Sequence, residues 1–375
     1  MKTPNIVTAI TLTVLLPATL AFAQTTQTDP TIKDRIDQAV STVSGSPMAE
    51  LDVDMKHVLD ALTKLNPQPI DKLSAQEARK QPSPADGVKE LLKEQGKSSA
   101  LELGITIKDV TYPAGEGTQT ARIYSPEGAN GTLPIVVYYH GGGFVIADLD
   151  TYDATPRAIV KGADVIVVSV EYRHAPESKF PAQQEDAFAA YKWVLANAKA
   201  FRGDEFKVAL LGESAGGNLA TNVAIMARDA NVTKPVYVVA VYPMAGTNLN
   251  TGSYIENASA KPLNKPMMAW FYDNTVRGEA DRTDPRLDIV GKADLKGLPP
   301  FTIVTAQIDP LRDDGKMLAD KLKASGTAVR YREYMGVTHE FFGMGNVVGK
   351  AKDAELEVVE DLKSAFKAAT VGLTK

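Results

Sequence analysis

The chain has 375 residues, 44% of them hydrophobic and 23% charged, which is enough for one large α/β domain or two smaller ones. A formal net charge of −5 without a basic stripe argues against a nucleic-acid surface. With no cysteine there is no disulfide, thiol nucleophile or thiolate metal site, and the four histidines (His57, His140, His174, His339) show no metal-ligand spacing.

In chain order, the first segment reads as a targeting signal. Lys2 supplies a minimal positive start, residues 6–20 an apolar stretch, and Ala21-Phe22-Ala23 a small-x-small cleavage site before Gln24. The apolar stretch is threonine-interrupted and shorter than the ~20 residues of a spanning helix. Residues 1–23 are therefore expected to be a signal peptide, with an uncleaved membrane anchor as the competing reading. The mature protein is expected to be exported, periplasmic or secreted, with no stable membrane span. Residues 24–100 are polar and helix-leaning, with proline breaks at 67–69 and 81–84 and an amphipathic piece at 48–65. They are expected to form a helical cap segment.

From residue 101 to 375 strands alternate with helices, as in a catalytic α/β domain. Runs 105–112 and 118–124, joined by Ala114-Gly115-Glu116-Gly117, predict a β-hairpin. Further strands are expected at 135–139, 165–170, 208–211, 236–241, 301–306 and 329–334, and helices at 183–199, 215–230 and 311–324. Near-continuously apolar strands between helices predict a mostly parallel sheet covered on both faces. The interval 246–297 has no strand-like run, only polar loops and an aromatic-rich piece at 267–272. An excursion of that length is expected to be a cap insert that closes over the site with the N-terminal helices.

Gly212-Glu213-Ser214-Ala215-Gly216 lies between the strand at 208–211 and the helix at 215–230. That is the pattern of a nucleophile elbow, which holds a serine hydroxyl out on a tight turn. The alternative is a glycine-rich turn with a capping serine. A serine hydroxyl needs a base to take its proton and a third group to orient the base. His339 and Asp309 each follow a late strand, and loops at the carboxyl ends of parallel strands converge. The order Ser214, Asp309, His339 is that of α/β-hydrolases. Asp309 also precedes Pro310 and so competes with a simple helix-capping role, while Asp313 and Asp314 are alternative acids expected to lie within the following helix. His339 has the rival reading of a partly buried loop histidine. His140-Gly141-Gly142-Gly143-Phe144, directly after the strand at 135–139, is suited to aiming backbone amides at an oxyanion, and the Ala215 amide is the expected further donor.

Together, His140-Gly-Gly-Gly-Phe144, Glu171-Tyr-Arg-His-Ala-Pro-Glu177, Gly212-Glu-Ser-Ala-Gly216, Asp309-Pro-Leu-Arg-Asp313 and His339 resemble the hormone-sensitive-lipase-like family of α/β-hydrolases. The resemblance runs from about residue 48 to the C-terminus. It implies an α/β-hydrolase fold with a helical cap and a serine carboxylesterase acting on small-molecule esters of short to medium acyl chains, without cofactor or metal. It implies Ser214 as nucleophile, Asp309 as orienting acid, His339 as base, and Gly142, Gly143 and Ala215 as oxyanion donors. Two stretches depart from the family pattern: His339 is followed by Glu340-Phe341-Phe342 where many members have Gly-Phe, and Asp284-Pro285 replaces the usual Ser-Pro. Both departures bear on substrate preference.

Glu213 is read as a solvated or structurally paired acid, with electrostatic tuning of the elbow as the alternative, and His140, Tyr172, Arg173 and His174 as scaffold. Trp270, Phe271 and Tyr272 are candidates for an apolar pocket. A lipase or amidase on the same triad, and a non-catalytic ligand-binding module on the same fold, are the alternatives. The oligomeric state is open, a homo-oligomer included.

Overall fold

The computed structural model describes residues 47–98 and 104–372, so the expected signal peptide lies outside the described residues. An edge hairpin starts the sheet: β1 (Ile105–Ala114) and β2 (Gly117–Pro126) pair with Ala114 opposite Gly117. Then come β3 (Leu133–Tyr139), β4 (Ile166–Val170), β5 (Gly203–Glu213), β6 (Tyr237–Val241), β7 (Phe301–Ile308) and β8 (Val329–Thr338). Their spatial order is β1-β2-β4-β3-β5-β6-β7-β8. The β1–β2 and β2–β4 pairs are antiparallel, and every later pair is parallel. This is the α/β-hydrolase architecture that the sequence predicts.

The longer helices are α1 (Val53–Lys64), α2 (Pro84–Glu94), α3 (Ala154–Ala163), α4 (Ala182–Asn197), α5 (Ala215–Asp229), α6 (Lys265–Thr275), α7 (Arg312–Ala324) and α8 (Gly349–Gly372). Alternate strand residues point to opposite faces and build two cores. Ile135, Val137, Val168 and Leu210 pack with Ala187 of α4, Leu219 of α5 and Leu318 of α7. Val136, Tyr138, Val167 and Leu211 pack with Met55 of α1, Ile159 of α3 and Val358 of α8. All of β4 is buried, as a strand covered on both faces must be, whereas edge strand β8 is buried only at Gly336, Val337 and Thr338.

The strand ends differ from the sequence reading in one useful way. β7 continues past Ala306 to Ile308, and β8 past Tyr334 to Thr338, so Asp309 and His339 follow their strands directly. Helices α3 and α8 were not anticipated. In α3 the helical pattern is masked by Pro156 and Gly162, although proline is tolerated in a first turn. Residues 246–297 contain no strand; they carry α6 and the short helices Gly252–Glu256 and Ile289–Lys292. Asn264 caps α6 by accepting from the Met267 amide, and Trp270 Nε1 of α6 donates to the Leu73 carbonyl at 3.1 Å, tying this interval to the N-terminal region. Among the described residues no helix is long and apolar enough to cross a membrane.

Candidate active site

β5 ends in the elbow. Ser214 is held at φ 57°, ψ −116°, a strained conformation for a non-glycine residue. A Cβ on Gly216 would run into the Tyr139 carbonyl and one on Gly212 into the Gly216 carbonyl, so backbones meet where side chains would stand. The Ser214 amide donates to the Val241 carbonyl at 2.9 Å, and the Met244 amide donates to the Ser214 carbonyl at 3.1 Å, which locks the turn to the end of β6. The serine hydroxyl makes no capping bond to α5, so the capping alternative is not realised.

Ser214 Oγ instead lies 2.9 Å from His339 Nε2, and His339 Nδ1 lies 2.7 Å from Asp309 Oδ2. All three side chains are buried. The other oxygen of Asp309 accepts from the Leu311 amide at 2.8 Å. The two readings of Asp309 are therefore compatible: one oxygen holds the start of the next helix, the other faces the imidazole. The rival acids point elsewhere. Asp313 accepts from the Ser253 amide at 2.8 Å, and Asp314 from the Ala245 and Gly246 amides at 3.0 and 2.9 Å. Burial pushes Asp314 up to about 7 against those two hydrogen bonds.

Burial alone would lower the His339 pKa. The Asp309 carboxylate opposes it, and together with Glu340 and Glu213 it makes the net shift upward. Glu213 sits behind the elbow and accepts from Tyr138 Oη at 2.6 Å, Thr155 Oγ1 at 2.7 Å and Tyr242 Oη at 2.5 Å. Burial pushes it up to about 7 despite these donors, as befits an acid paired within the scaffold.

The glycine turn after β3 opens toward Ser214. Gly142 and Gly143 take φ values of 92° and 59°, and the place of a Gly143 Cβ is filled by the Phe271 ring. Among the described residues, no backbone carbonyl accepts from the Gly142 or Gly143 amide. Ala215 opens α5, where first-turn amides have no intrahelical acceptor and the helix dipole favours negative charge.

His140 stacks on Tyr172 with centroids 4.4 Å apart, and Tyr172 Oη donates to the His140 and Gly141 carbonyls, each at 3.0 Å. Residues read as scaffold thus brace the turn. Despite their sequence spacing, His140, Glu171 and His174 have candidate ligand atoms within 4.8 Å of one another, a group whose geometry could hold a metal ion. His140 Nδ1 lies 2.9 Å from the Gly141 carbonyl and Nε2 lies 3.2 Å from Glu171. Burial lowers the His140 pKa, but Glu171, the Gly141 carbonyl and Asp148 together more than offset it, and the net shift is upward.

Beside the triad is a cavity of about 80 Å³, walled mainly by Ile146, Met244, Leu263, Met267 and Phe271. Of the expected aromatic group only Phe271 lines it. Trp270 bonds to Leu73 and Tyr272 Oη donates to the Gly246 carbonyl at 2.5 Å. The methionines of the same 267–272 piece were the missed signal, being flexible apolar side chains suited to an adaptable wall. Pro84, from α2, and Glu340 also reach the cavity. A shallower groove of about 420 Å³ between β6 and α8, lined by Tyr237 and Asp361 among others, shares no residue with this site.

A family profile described as alpha/beta hydrolase fold matches residues 136–343. The carboxylesterase NlhH of Mycobacterium tuberculosis is 40% identical over 251 residues, covering 66% of this chain and 78% of the relative. The ethyl acetate hydrolase of Pseudomonas putida is 32% identical over 304 residues, 79% of this chain and 92% of its own. Among solved structures, a thermostable esterase from Pseudomonas putida superposes with a TM-score of 0.76 at 30% identity, covering 84% of this chain and 98% of that one. On fold, motifs and relatives alike, the chain belongs to the hormone-sensitive-lipase-like esterases of the α/β-hydrolase fold.

Proposed function

We propose that the protein is an exported serine carboxylesterase for short- to medium-chain esters, with Ser214 as nucleophile, His339 as general base and Asp309 as its orienting acid. The observation that carries this reading is the continuous relay from Asp309 to His339 to Ser214, at 2.7 and 2.9 Å. As Ser214 Oγ attacks the ester carbonyl, its proton passes to His339 Nε2. The imidazolium is stabilised by the Asp309 carboxylate, which stays ionised. The amides of Gly142, Gly143 and Ala215 hold the oxyanion, each worth on the order of 3 kcal/mol in the transition state. His339 then protonates the leaving alcohol, and water hydrolyses the acyl-enzyme.

The small apolar cavity supports a short acyl chain. Residues 24–100, of which 24–46 and 99–100 lie outside the described residues, and 246–297 act as a cap, a role supported by the presence of Pro84, Met267 and Phe271 in the cavity wall. Export is supported by the composition of residues 1–23, and a mature mass beginning at Gln24 is the expected result. The decisive experiment is covalent labelling by an organophosphate. The wild-type chain should take one label and lose ester hydrolysis, and Ser214→Ala should take none. An unlabelled wild-type chain would favour a non-catalytic module instead.

A further inference from the structure

Glu340 is the acid that the family resemblance does not explain. It lines the cavity, and its Oε1 lies 3.9 Å from His339 Nε2, on the side of the ring that faces Ser214. Its backbone has φ 70°, in the left-handed region where glycine is at ease and a longer side chain is strained. Strain of this kind persists only where the surroundings hold the residue in place. What holds Glu340 is Tyr152, whose Oη lies 2.6 and 2.7 Å from the two carboxylate oxygens. Tyr152 is itself buried beneath the glycine turn, and it reaches this position because Gly141 has no side chain: a Cβ there would strike Oη.

One tyrosine hydroxyl has a single proton to give, whereas a carboxylate offers roughly four acceptor sites. Glu340 therefore faces the cavity with acceptor capacity unused, 21% exposed in a wall that is apolar apart from Ser214 and His339. An oxygen atom about 3 Å from His339 Nε2 and about 3 Å from Glu340 Oε1 satisfies a 3.9 Å separation of those two atoms. That is the place where the leaving alcohol departs and where the next nucleophile must arrive.

We propose that Glu340 holds the hydrolytic water of deacylation and so selects water over alcohols as acceptor of the acyl group. This rests on the esterase reading above. The water directs one O–H at His339 Nε2 and the other at Glu340 Oε1, leaving a lone pair for the acyl carbon. As the new C–O bond forms, the first proton moves to Nε2 and the carbonyl electron pair moves to the oxyanion. The tetrahedral species then expels Ser214 Oγ, which takes the proton back from His339 and leaves the carboxylic acid. Glu340 accepts a hydrogen bond throughout and gains no proton. An alcohol in the same place has a carbon where water has its second hydrogen, so it forgoes this bond.

The test separates the two half-reactions. With a nitrophenyl ester under rapid mixing, Glu340→Ala should show a burst of nitrophenol followed by turnover slowed about tenfold or more, the weight of a hydrogen bond to a charged acceptor. At a pH above the acidic limb set by His339, the burst rate and organophosphate labelling rate should stay near wild type. With a primary alcohol added, the ratio of transesterified to hydrolysed product should rise by a similar factor. Glu340→Gln, which keeps an accepting oxygen, should fall between, and Tyr152→Phe should move the ratio the same way by less. If burst and turnover fall together, or the partition ratio is unmoved, Glu340 only supports His339 and the proposal is overturned. A wild-type chain that neither labels nor turns over would overturn the esterase reading, and this one with it.

Discussion

Ser214, Asp309 and His339 stand on the ends of β5, β7 and β8, each directly after the last strand residue. The cavity wall opposite them comes from segments scattered along the chain: Pro84 before the sheet begins, Ile146 after the glycine turn, Met267 and Phe271 in the interval 246–297. The first group is placed by backbone hydrogen-bond ladders that a side-chain change does not move. The second is placed by side-chain packing and a few polar ties such as Trp270 to Leu73. On the proposed reading, chemistry is built on the rigid part of the molecule, and selectivity on the part that substitution can reshape.

Removing the proposed nucleophile or the proposed base tests the rigid side most severely. Ser214→Ala or His339→Ala should lower kcat by about 10⁴-fold or more while the far-ultraviolet circular dichroism stays unchanged. Asp309→Ala should cost on the order of 10⁴-fold, whereas Asp313→Asn, which weakens the contacts to the Ser253 amide and to Arg312, should stay close to wild-type kcat. Equal losses in the two acid variants would mean that strand-end position does not decide the acid. On the wall side, Met267→Ala should enlarge the cavity and shift the kcat/KM preference toward longer acyl chains by about tenfold, with kcat on the shortest ester little altered.

Two smaller effects come from the acids around the triad. The proposed general base must be neutral to work, so kcat/KM should fall as pH drops through the His339 pKa, which lies above its ordinary value. Asp309, Glu340 and Glu213 are the acids that raise it. Removing the negative charge in Glu340→Gln should therefore move the acidic limb of the profile to lower pH. Glu213 has a folded pKa of about 7, raised from 4.5, so the folded state binds the extra proton. Stability is then lost as pH rises from 4.5 through about 7. Glu213→Gln should remove that loss, raising Tm relative to wild type at pH 8 more than at pH 5. A constant Tm difference across that range would show that Glu213 does not titrate there.

Much of the molecule was readable in the linear chain because the signals are local. Apolar or alternating runs marked all eight strands, and the wholly buried β4 lies inside the sheet between β2 and β3. Gly212 and Gly216 announced the elbow because backbone approach tolerates nothing larger there. The helix α3 was hidden by Pro156 and Gly162, whose cost is offset by first-turn placement and by packing of Gly162 against Val359 of α8.

By itself, then, the sequence determined the strand–helix alternation, the tight turns and the chemical type of each residue at a strand end, since these depend on neighbours a few positions away. Only the tertiary structure decided that Asp309 serves its helix and His339 at once, that His140, Glu171 and His174 converge, and that Glu340 looks into the cavity with Tyr152 beneath it. Apart from the local bond of Asp309 to Leu311, those are contacts between residues far apart in the chain, and they depend on which loops meet at the strand ends. No local pattern encodes them.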